Sequence, residues 1–85
     1  MVNIWVKGMI DNKIVAQKTL KMQEPYSRDT LEFMIKNVLE QMDLPGPIVL
    51  PAHFFHFEQF KTTKFLKRDF VETIPFDCLE VVDIS

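Results

Sequence analysis

Apolar and polar residues alternate along the first quarter of the chain. Val2, Ile4, Val6, Gly8 and Ile10 fall on even positions, between Asn3, Trp5, Lys7 and Met9. Ile14, Ala16, Leu20 and Met22 repeat the even pattern, with Lys13, Gln17, Thr19 and Lys21 between them. A period of two predicts strands over 2–10 and 13–22, joined by a turn at Asp11-Asn12. Directly opposed residues share a face of a sheet, so both apolar sets must meet on one face. A plain two-residue loop puts Ile4 opposite Thr19 and separates the two sets. A loop of odd length, Asp11-Asn12-Lys13, puts Ile4 opposite Leu20, Val2 opposite Met22 and Ile10 opposite Ile14. The hairpin is therefore expected to hold an odd loop or a bulge. Lys18 then stands opposite Val6 on the apolar face, its stem lying along the core and its amine reaching out.

The period changes over 28–43, where Leu31, Met34, Ile35, Val38, Leu39 and Met42 recur at three and four residues. That stripe predicts the main helix. Ser27 can cap it, or Asp29 and Glu32 can form a box, and Glu32 and Lys36 are ordered for an i,i+4 pair. Leu44-Pro45-Gly46-Pro47 ends it. Ile48-Val49-Leu50 reads as a short edge strand between prolines. Pro51 suits a first helical turn, and His53, His56, Phe57 and Phe60 keep helical spacing, which favours a short helix over 51–60. Residues 62–66 look extended, and 67–72 has room for one helical turn. Cys78 to Ile84 is apolar on both sides and predicts a central strand covered on two faces.

This order predicts one α+β domain over 1–85 with a small mixed or antiparallel sheet of three to four strands. Its strands are the N-terminal hairpin, 48–50 and 78–84. One main helix packs on the face that holds Ile4, Val6, Leu20 and Met22.

Composition narrows the function more than it names it. The chain has 85 residues, 47% of them apolar and 26% charged, which suits one globular core and excludes a disordered chain. No apolar run approaches the ~20 residues of a membrane span. The first residues lack the charged, apolar and small-residue segments of a secretory leader. One cysteine, Cys78, makes no internal disulfide. A cytoplasmic protein without a membrane partner is the expectation.

With two glycines, Gly8 and Gly46, neither a phosphate loop nor a dinucleotide fingerprint can be written, and no cofactor is expected. His53 and His56 share a helical face, but two ligands do not make a metal site, and nothing local brings Cys78, Asp77 or Glu80 to them. Cys78 opens an apolar strand between acids, which suits a structural thiol better than a nucleophile. No catalytic set can be assembled, and the chain is read as a non-enzyme.

Two surfaces remain. Trp5 on the polar side of the hairpin and Phe33 on the polar side of the helix are aromatics outside the predicted core, as interface anchors are. The later half of the chain can also fold over Trp5 and bury it. The net charge is −2, yet the bases of the last third all fall within 61–68. Lys61, Thr62, Thr63, Lys64, Lys67 and Arg68 have the composition of an anion or nucleic-acid surface, with Asp69 and Glu72 beside them. A protein-interaction module, self-association included, is the first expectation; binding of nucleic acid or an anionic ligand through 61–68 is the second, since the whole chain is acidic.

Overall fold

The N-terminal hairpin is formed by β1 (Val2–Ile10) and β2 (Lys13–Met22), whose alternation of apolar residues needs one buried face. A computed structural model describes residues 2–85. The chain continues through α1 (Arg28–Glu40), α2 (Pro51–Phe60), β3 (Thr62–Leu66), a 3-10 turn over Lys67–Asp69 and β4 (Cys78–Asp83). Every strand pairing is antiparallel, and the strands lie in the order β2-β1-β4-β3. The architecture is a small α+β fold with a four-stranded sheet.

The hairpin uses a bulge rather than an odd loop. Asp11 and Asn12 have φ of 50° and 63°, the left-handed pair that a tight two-residue turn requires. Ile10 therefore opposes Lys13 and Met9 opposes Ile14, until the register shifts beside Gly8. Beyond the shift Gly8 faces Ala16, Val6 faces Lys18, Ile4 faces Leu20 and Val2 faces Met22. The bulge corrects one expectation. Ile14 opposes Met9 instead of Ile10, so it leaves the core face and stands 42% exposed.

Helix α1 begins where Ser27 Oγ accepts the Thr30 N–H at 3.2 Å. It closes through Leu44 N–H to the Leu39 carbonyl, with Asp43 in the left-handed conformation (φ 58°) that glycine usually supplies. Leu31, Ile35 and Leu39 meet Ile4, Val6 and Met22 in the core. Helix α2 has Pro51 in its first turn and sends Phe57 into the same core beside Phe65, Leu79 and Val81.

The segment 48–50 is not a strand. Prolines 45, 47 and 51 remove backbone donors around it, and its own amides are held irregularly. Ile48 N–H donates to the Asp69 carbonyl, Val49 N–H to Glu32 Oε2 and Leu50 N–H to His53 Nδ1. The sheet edge it was expected to fill belongs to β3. Strand β4 is central, as its apolar sequence suggests, but only one of its faces is covered. Leu79 and Val81 are buried, whereas Cys78, Glu80 and Val82 are half-buried on the side away from the core. Both helices contribute to the core on the other side, which leaves this face without a lid.

Candidate functional site

The uncovered face is ordered in rows by the pairing of four strands. Thr19, Trp5, Val82 and Thr62 form one row. Lys7, Glu80 and Lys64 form the next, with Gln17 beside Lys7. Ile14, Met9, Cys78 and Leu66 form the third, and it is wholly apolar. The bulge completes that third row, because it turns Ile14 onto this side.

Trp5 lies in the first row, half-buried, with no helix over it. Its indole N–H donates to Gln17 Oε1 at 2.9 Å, and the Lys7 ammonium stands 4.2 Å from its ring centroid. The same ammonium is 2.6 Å from Glu80, whose other oxygen is 3.9 Å from Lys64. Trp5 is thus fastened by its neighbours in the sheet. Phe33 is 67% exposed on the outer side of α1, so the helix layer separates the two aromatics and they form no common surface.

The basic segment is divided by its own geometry. Lys61 ends α2 in the left-handed conformation and lines a cleft of about 500 Å³ with Glu24, Pro25, Tyr26 and Glu58. Lys67 lies in a smaller cleft with Phe70 and Ile74. Thr62 takes its place on the uncovered sheet face. Thr63, Lys64 and Arg68 line a third cleft, about 430 Å³, between the first turns of α2 and the edge strand β3. The six residues named from the sequence therefore do not make one surface.

That third cleft also receives both histidines and Asp69. His53 Nδ1 accepts the Leu50 N–H at 3.0 Å, so the neutral ring carries its proton on Nε2, 3.5 Å from Asp69 Oδ2. His56 has the opposite tautomer. Its Nδ1 lies 2.7 Å from the Thr62 carbonyl, which can only accept, and the proton must sit there. Asp69 Oδ2 also accepts the Leu66 N–H at 2.8 Å. The cleft is framed by these ties at both ends of β3.

Cys78 is absent from this cleft; it stands opposite Met9 and Leu66 on the sheet face, apart from both imidazoles. Among the described residues no three His, Cys, Asp or Glu side chains converge as metal ligands do. Asp77 is engaged by the Asp11 N–H and Glu80 by lysines. Tyr26 borders the cleft that holds Lys61. Burial raises its phenol above the usual 10.0, with Glu58, Asp83 and Glu24 adding to the shift.

Sequence reasoning named the histidines but not their cleft, and set Met9 on the face of Trp5 but not Ile14, Cys78, Leu66 and Val82. The alternation of 78–84 carried the signal for the second group, since a strand apolar on both sides has apolar residues on whichever face stays open. No helix among the described residues is long and apolar enough to cross a membrane. Comparison of the chain with protein-family models, curated proteins and solved structures finds no match.

Proposed function

We propose that this chain is a non-enzymatic protein-interaction module that works through the uncovered face of its sheet, and that the partner seated there is a second copy. The observation that carries the reading is the order of the three rows. A two-fold axis running along the strands, midway between β1 and β4, lays β1 of one copy over β4 of the other. Each row then meets itself. Lys7 comes to Glu80, Trp5 to Val82, Met9 to Cys78 and Ile14 to Leu66. Charge meets opposite charge and apolar meets apolar, the condition for a self-complementary contact. Two such faces stack about 10 Å apart, as in a β-sandwich.

The same reading places the module in the cytoplasm, since its one cysteine is a free thiol within the face to be covered. Nucleic-acid binding is supported less, because the four bases of 61–68 are spread over three clefts.

Sedimentation velocity from micromolar to millimolar concentration tests the proposal. The chain should pass from monomer to dimer, and Met9→Lys combined with Ile14→Lys should hold it monomeric with its circular dichroism unchanged. A chain that stays monomeric at millimolar concentration overturns the reading. So does a dimer that survives the double substitution.

A further inference from the structure

We infer that the cleft between α2 and β3 is a binding site for a phosphate monoester, held by Lys64, Arg68 and His56. The site adjoins the sheet face proposed for self-association, sharing Lys64 and Leu66 with its edge, and is otherwise built from α2 and the 3-10 turn. Its chemistry follows from what its polar groups already hold. Asp69 is occupied by the Leu66 N–H and by His53, so the one acid of the cleft is committed at its floor. Arg68 makes no ion pair among the described residues, and Lys64 has only Glu80 at 3.9 Å. Two cations in one cleft with one committed carboxylate leave a local excess of positive charge in a chain of net charge −2.

A phosphate monoester meets this better than a carboxylate. Its charge approaches −2 and it offers three acceptor oxygens, so one group can engage Lys64 and Arg68 together. Thr63 adds a hydroxyl to the lining, and Ala52 brings the first turn of α2, whose dipole end is positive. His56 strengthens the case through its tautomer. With Nδ1–H spent on the Thr62 carbonyl, Nε2 is the ring nitrogen left to meet a ligand in the cleft. Both nitrogens of His53 are engaged, by the Leu50 N–H and by Asp69, so it remains a wall of the cleft, its ring 4.5 Å from that of Phe65. Leu50, Ala52 and Leu66 supply apolar lining for the ester's organic group, which inorganic phosphate lacks.

The test is a titration of the full isotope-labelled chain with phenyl phosphate at low ionic strength, followed by amide and imidazole resonances, with inorganic phosphate as a second ligand. Saturable shifts are expected at His56, Lys64 and Arg68, at lower concentration for phenyl phosphate than for inorganic phosphate. Arg68→Gln should weaken binding about tenfold, the loss of one charge-assisted contact, while Lys61→Gln in the neighbouring cleft should leave it unchanged. Both replaced residues are exposed, so neither change threatens the fold. The inference is overturned if no saturable shift reaches the cleft, or if Lys61→Gln and Arg68→Gln weaken binding equally, the mark of diffuse attraction to a basic surface.

Discussion

Lys7 and Glu80 face each other across the β1–β4 ladder, Nζ to Oε1 2.6 Å, while the same ammonium stands over the Trp5 ring. The pair is largely withdrawn from water, with 12% and 26% of the two side chains exposed. One cation thus neutralises the central acid of the open face and shields its largest aromatic. A mutant cycle on Lys7→Met and Glu80→Gln should give a coupling of about 0.5–1.5 kcal/mol in denaturant unfolding. Lys64→Met, removing an exposed lysine at 3.9 Å, should cost less than about 0.5 kcal/mol. Trp5 fluorescence should respond to Lys7→Met and not to Lys64→Met; the reverse would deny the contact between ammonium and indole.

Gly8 lies where β1 crosses under Phe76. A Cβ on Gly8 would come within 2.5 Å of the Phe76 ring, and that ring is only 5% exposed, so it cannot swing away freely. Gly8→Ala should destabilise the chain by about 1–3 kcal/mol, the usual cost of overpacking. Phe76→Leu in the same chain should recover part of the loss, since it shortens the opposing side chain. Purely additive losses in chemical denaturation would show that the two positions do not compete for space.

Local pattern revealed the hairpin, both helices and the central place of β4, because each depends on a period repeated within one segment. It left the end of the hairpin open. A bulge and an odd loop align Ile4 with Leu20 equally well, and only the left-handed Asp11 and Asn12 select the bulge that turns Ile14 outward. The β-branched run 48–50 resembles a strand in isolation, yet Glu32, His53 and Asp69 take its amides from outside the sheet. Those partners are distant in sequence, and no period encodes them. The cleft is illegible for the same reason: the His53–Asp69 approach depends on how the 3-10 turn folds back upon α2.

Tyr26 is the one tyrosine of the chain, so the rise in absorbance on phenolate formation reports it alone. Burial raises its pKa above 10.0, and Glu58, Asp83 and Glu24 oppose the phenolate further. Above the unfolded value the native state holds the proton more tightly than the unfolded chain does. Its contribution to stability is therefore fully present below pH 10.0 and is lost as pH rises through the native pKa. The absorbance midpoint should lie above that of the urea-unfolded chain, and Glu58→Gln should lower it. A native midpoint at or below the unfolded one would contradict the placement of Tyr26 against Phe54, Phe57 and these acids.

Glu32 looks from its spacing like one half of a helix-surface ion pair, and its greater role lies elsewhere. Its Oε1 is 3.5 Å from Lys36, whereas its Oε2 accepts the Val49 N–H at 2.9 Å in a partly buried setting. An exposed i,i+4 pair contributes a few tenths of a kcal/mol. An amide left without an acceptor near the core costs about 1–3 kcal/mol. Glu32→Ala should accordingly destabilise the chain by about that larger amount, and Lys36→Ala by less than about 0.5 kcal/mol. Glu32→Gln keeps an oxygen within reach and should fall between the two. Hydrogen exchange separates this account from a general loss of helix. The Val49 amide should exchange faster in Glu32→Ala than in Glu32→Gln, while the amides of Ile35 and Leu39 keep their relative protection. Equal costs for Glu32→Ala and Lys36→Ala would mean that Glu32 acts only through the ion pair, and that the loop from Pro47 to Leu50 is held by its buried Pro47 and Val49 side chains without help from the carboxylate.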